Sequence, residues 1–210
     1  MVSQTAEPWF HELAARVPGA DNNFLEENIV RSIKEFCSES TAWREWVEDR
    51  TVSEGERAVD LQTGLKSHVL LVHEVLLDGR PLHQVSRLYP ESEGPQQPRG
   101  WVGDGYVPGR IFLTPVPDKD YEFGLKALVS LTVGKAPCKL PTLLTEMFYE
   151  AVLDGTLGRL YMQPRKPYSD REAASFHLRR FRRYTRQARD MASRGFTPGG
   201  QNWSYPSFGR

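Results

Sequence analysis

Apolar and polar positions along the chain fall into three successive regimes. Over residues 8–17, Phe10, Leu13, Ala14 and Val17 recur every three or four positions, which predicts a short helix with one apolar face. Pro8 fits its first turn, where the missing N–H is harmless, and Pro18-Gly19 ends it. Over 24–48, Ile29, Ile33, Phe36, Cys37, Trp43 and Val47 keep close to the helical repeat. Glu26, Glu27, Arg31, Lys34, Glu35, Glu39, Arg44 and Glu45 fall mainly elsewhere on the wheel. The pattern predicts one long amphipathic helix, capped by Asn22 or Asn23.

From residue 50 to about 133, short runs of Val, Leu, Ile and aromatic residues alternate with Gly, Pro and Asp turns. Strands are predicted at 57–61, 68–77, 80–85, 106–107, 110–114 and 121–133. Leu77-Asp78-Gly79-Arg80 signals a tight hairpin, because Asp-Gly tolerates the positive φ angles of a type I′ turn. Residues 90–99, rich in Pro and Gln, read as a loop.

The helical period then returns. Leu144, Met147, Phe148, Ala151 and Val152 form a stripe that runs up to Gly158. After Pro164 and Pro167, Ser169-Asp170-Arg171-Glu172 matches a capping box opening a helix to about residue 194, with Gly195 as its stop. Its expected inward face is Ala173, Phe176, Phe181, Tyr184, Ala188 and Met191. The resulting expectation is an α+β fold, a bundle of long amphipathic helices with an inserted antiparallel β-sheet domain. Helices would occupy 1–49 and 137–194, the sheet 50–136, and an extended C-terminal arm 195–210.

Composition narrows the function classes. Charged residues make up 26% of the 210 and formal net charge is zero, so bulk charge demands neither nucleic acid nor membrane. The distribution is uneven. Ten Lys or Arg stand against three acids over 165–194, a net of +7, leaving −7 for the remainder. A solvated face is one reading of that excess. The other is a surface facing DNA phosphates or an acidic partner, carried by Arg179, Arg180, Arg182, Arg183 and Arg186. Phe196, Trp203, Tyr205, Phe208 and Arg210 give the arm the residue types that anchor interfaces.

Two cysteines, Cys37 and Cys138, make no disulfide framework or metal-ligand spacing and read as free thiols in a reducing compartment. The first ten residues lack a signal-peptide pattern and no apolar run is long enough for a membrane span, so a soluble protein maturing in cytoplasm is expected. His68 and His73 lie five apart in a strand pattern and point to opposite faces; His11, His83 and His177 are isolated. Glu146, Glu150 and Asp154 recur every four residues, reading as an exposed acidic helix face without a companion His. Gly100-Trp-Val-Gly-Asp-Gly105 lacks the strand–turn–helix context of a phosphate loop. No catalytic set, metal site or cofactor is expected.

The order of motifs carries a resemblance. Val17-Pro18-Gly19-Ala20 is followed by Ile29-Val30-Arg31-Ser32-Ile33-Lys34-Glu35-Phe36-Cys37 and Ser40-Thr41-Ala42-Trp43-Arg44. Then come Leu76-Leu77-Asp78-Gly79-Arg80-Pro81-Leu82 and the segment from Pro108 to Pro117. Gly155-x-x-Gly158-Arg159-Leu160 and Pro164-Arg165-Lys166-Pro167-Tyr168-Ser169-Asp170 precede the basic helix. In this order, over about residues 8–192, the chain resembles the head-to-tail adaptor (neck, or tail tubular A-type) proteins of tailed bacteriophages.

The resemblance implies a non-enzymatic virion protein at the neck or tail, assembled in host cytoplasm, with no membrane partner. It implies a twelve-membered ring beneath the portal protein, a tail nozzle or further neck protein below, and double-stranded DNA passing through the lumen. The C-terminal residues would reach the portal, and the basic helix would face the channel or a neighbouring subunit. Two alternatives come from other classes: a neck-associated peptidoglycan hydrolase using Glu146 or Glu150, and a nucleic-acid-binding module built on the basic helix.

Overall fold

A computed structural model describes residues 3–64, 66–88 and 94–196. Helix α1 (Glu7–Arg16) carries Pro8 in its first turn and buries Trp9, Phe10 and Leu13. Helix α2 (Asn22–Ser40) is capped by Asp21, whose carboxylate accepts from the Asn23 and Phe24 backbone N–H groups, rather than by Asn22 or Asn23. Leu25, Ile29, Ile33, Phe36 and Cys37 form its buried stripe.

The helix expected over 24–48 stops at Ser40. Thr41 turns left-handed at φ 51 and donates its N–H to the Cys37 carbonyl. Residues Arg44–Val52 then form strand β1. Trp43 and Val47 fit the helical period by spacing, but the run Trp46-Val47, Thr51-Val52 is β-branched and aromatic, and a neighbouring strand supplies the ladder that decides between the two.

Strands β2 (Ala58–Asp60), β3 (Ser67–Leu77), β4 (Arg80–Gln84), β5 (Gly100–Gly103), β6 (Arg110–Thr114) and β7 (Tyr121–Val133) follow. Among the described residues they form one seven-stranded sheet in the order β1-β7-β3-β4-β5-β6-β2. The Asp78-Gly79 hairpin has φ angles of 49 and 75 and pairs Leu77 with Arg80. Strand β5 falls on the glycine-rich stretch that carries no strand signal, and residues 106–107 are a turn rather than a strand. The sheet is not wholly antiparallel, because β4 and β5 run parallel.

After a π-helical turn at Leu143–Met147 come α3 (Tyr149–Tyr161) and α4 (Arg171–Ser193). Glycines let these two helices approach closely. A Cβ at Gly155 would lie 2.8 Å from a Phe181 ring carbon, and one at Gly158 would lie 2.7 Å from Leu178 Cγ.

These elements overturn the bundle of long helices with a separate β insertion. The chain is a mixed α/β fold built on a curled sheet, with no long helical bundle. Alternate residues Leu125, Ala127, Val129, Leu131 and Val133 of β7 are all buried. The opposite face of β7, near its end, meets α2, and there Ser130 donates to the Thr41 carbonyl. Strand and helix residues share one hydrophobic cluster. Each fully buried Leu or Ile in it contributes about 1.5–3 kcal/mol.

Candidate interaction face on the last helix

Helix α4 begins at Asp170, whose Oδ1 accepts from the Glu172 and Ala173 N–H groups at 2.9 Å each. The expected cap, Ser169, instead donates to the Gln163 carbonyl. Residues Ala174, Phe181, Thr185, Ala188 and Ala192 are buried. Of the expected inward face only Phe181 and Ala188 are among them, and Phe176 is 48% exposed. Gly155 and Gly158 of α3 leave room for Phe181 and Leu178, and seating these side chains rotates α4 away from the face that its hydrophobic residues predict.

That rotation places Arg179, Arg182, Arg183 and Arg186 on the outward face, at spacings of three, four and seven residues, all exposed. Among the described residues, Arg179, Arg182 and Arg186 have no ion-pair partner, and Arg183 lies only over the Tyr184 ring at 5.4 Å. Arg189 extends the row and donates to the Glu39 carbonyl at 2.6 Å.

Arg180 belongs elsewhere. It turns to α3, with Nε 3.1 Å from Asp154 Oδ2 and a terminal nitrogen 3.5 Å from Glu150 Oε2, and it donates to the Tyr184 hydroxyl at 3.3 Å. Its guanidinium is held above its ordinary pKa, first by the Tyr184 hydrogen bond and then, against the cost of burial, by the Asp154 charge. His177 Nδ1 donates to Asp154 Oδ1 at 2.7 Å. Asp154 is only 1% exposed, so the acidic row of α3 is not an exposed face at its third member. Oδ2 lies within ion-pair distance of Arg180 but makes no well-directed hydrogen bond. Sequence reading left His177 isolated, because nothing in the spacing of Asp154 and His177 says that α3 and α4 are neighbours.

Phe196, 37% exposed, lines an apolar recess of about 350 Å³ together with Trp43, Leu128, Pro141, Leu143 and Ala192. Trp203, Tyr205, Phe208 and Arg210 lie outside the described residues.

Ser130 Oγ is fully buried and donates to the Thr41 carbonyl at 3.1 Å. Its 2.5 Å contact with His73 Nε2 therefore has the imidazole as donor, the reverse of what activates a nucleophile. Burial, and then the Arg44 charge, lower the His73 pKa. Burial pushes the Cys37 thiol up to about 12 and raises that of Cys138, which disfavours the reactive thiolate of both. Glu146 and Glu150 are exposed, and the next acid along the helix is the ion-paired Asp154, not a second carboxylate across a cleft. Among the described residues no three His, Cys, Asp or Glu side chains converge to hold a metal. No described helix is long and apolar enough to cross a membrane.

No sequence profile of a known protein family matches the chain, and no curated protein is similar to it in sequence.

Proposed function

We propose that the chain is a structural subunit of a ring, the head-to-tail adaptor of a tailed bacteriophage. In this reading about twelve copies sit beneath the portal, receive a tail nozzle or further neck protein below, and surround the DNA channel. The arginine row on the outward face of α4 carries the proposal. Like charges three and four residues apart cost a helix a few tenths of a kcal/mol per pair. Such a row is best accommodated where counter-charge arrives from outside the subunit, as it does between ring neighbours or beside DNA. The order of motifs along the sequence supports the same reading.

Sedimentation of the protein with its cognate portal tests it. A portal-bound ring is expected, and deletion of residues 196–210 is expected to abolish the binding. A protein that stays monomeric and never associates with portal would sink the proposal.

The same row favours a second reading, a nucleic-acid-binding module. It requires duplex DNA binding whose affinity falls steeply with salt, with a log–log slope of about −0.9 for each phosphate neutralised.

A further inference from the structure

The two ends of β7 differ in charge. Its last residues lie against the helices, where Ser130 reaches Thr41. Its first residue, Tyr121, pairs with Val52. Around that far end the β1–β2 turn and the β6–β7 turn come together, with the Glu54 N–H donating to Asp120 Oδ1 at 2.8 Å and the Gly55 N–H to the Pro117 carbonyl. Exposed there are Asp49, Glu54, Glu56, Asp118, Asp120 and Glu122, against Arg50, Arg57 and Lys119. Lys119 is drawn over the Tyr121 ring at 5.1 Å. The field is felt locally: Tyr121 is shifted up first by burial, then by its hydrogen bond to Asp118 and the charges of Asp118 and Asp78. Helix α4, at the other end, sets Arg179, Arg182, Arg183 and Arg186 outward without counterions among the described residues.

We propose that the arginine face of α4 docks on the acidic sheet end of a second copy of this chain, joining subunits head to tail. The inference rests on the ring reading above and names what the arginine face meets. A molecule of zero net charge with opposite poles attracts its own copies in one orientation and repels them in the reverse. The two surfaces are different patches, so the contact is heterologous and repeats around a ring rather than ending at a dimer. Duplex DNA is the poorer occupant, because the acidic end of every subunit is repelled by it.

Two charge-reversed proteins provide the test. One carries Arg179→Glu, Arg182→Glu, Arg183→Glu and Arg186→Glu; the other carries Glu54→Lys, Glu56→Lys and Glu122→Lys, at exposed acids that make no side-chain hydrogen bond or ion pair among the described residues. Each alone presents two faces of one sign, and its self-association in low salt should fall on the order of 100-fold below that of the unaltered chain. Circular dichroism confirms that each is folded. Mixed in equal amounts they alternate, since both contacts then join opposite charges, and assembly should return. Restoration on mixing supports the proposal in a way that general damage cannot imitate.

If the acid-reversed protein assembles as well as the unaltered chain, or mixing restores nothing, the proposal is overturned. Portal-bound rings would still stand in that case, and the adaptor reading with them. Loss of DNA binding in the arginine variant, without loss of self-association, would assign the face to nucleic acid instead. An unaltered chain that never self-associates, with portal or without, removes both readings.

Discussion

Asp154 is the third member of an acidic row legible in the sequence, yet it behaves unlike the other two. Being 1% exposed, it is held by His177 and Arg180 from the next helix. Removing one partner of such a group strands the others. Asp154→Ala is expected to lower unfolding stability by about 3–5 kcal/mol, read as a shift of the urea midpoint, whereas Glu146→Ala at an exposed site should change it by less than about 0.5 kcal/mol. His73 sets a pH dependence of definite sign. Its folded pKa is depressed by burial and by Arg44, so the unfolded chain binds the proton more tightly. Stability is therefore full above the ordinary histidine value of about 6.5 and is lost as pH falls from there through the lowered folded value. His73→Gln should flatten the stability profile between about pH 7 and 5. An unchanged acid slope in that variant would place the titration on another group. Neither residue's role is written in its neighbours along the chain, because each is defined by partners 23 and 57 positions away.

At the scale of elements, the apolar faces of α1 and α2 and the Asp78-Gly79 hairpin followed from spacing and turn chemistry alone. Boundaries did not. Asp21 and Asp170 cap helices where Asn22 or Asn23 and Ser169 were the expected residues, since several small polar side chains in a row can each serve and the path of the entering chain selects one. The larger miss is the passage from α2 to β1. Trp43 and Val47 satisfy a helical repeat as well as a strand, and only the pairing of β1 with β7 discriminates. The break is made by Thr41, a β-branched residue in the left-handed region at φ 51. That conformation costs a β-branched side chain on the order of 1 kcal/mol, and glycine adopts it without strain. The Thr41 carbonyl, which accepts from Ser130 and Arg44, survives the change. Thr41→Gly should therefore raise the melting temperature by about 2–4 °C. A lower melting temperature would mean that the threonine side chain contributes contacts worth more than the strain.

For the whole molecule, helices and sheet share one cluster of buried side chains. A helical part and a sheet part with separate cores would unfold in separate steps. A shared core predicts one transition, with the far-ultraviolet helical signal and the tryptophan fluorescence lost at the same denaturant concentration. Two separated midpoints would show that the helical layer has a core of its own. The charge polarity is likewise a property of the assembled molecule. Sequence alone established a basic excess over 165–194 and its acidic complement spread over the remaining residues. It determined which segments are amphipathic, where the chain can turn tightly, and how charge is apportioned, because these depend on residues a few positions apart. Tertiary structure decided which half of an ambiguous pattern became strand β1. It decided which side of α4 is buried and that Arg180 leaves the arginine row for Asp154. It also gathered acids from 49 to 122 at one end of the sheet. The physical reason is the same throughout: burial, pairing and field strength are set by distances through space, and the curled sheet brings together residues that the chain holds far apart.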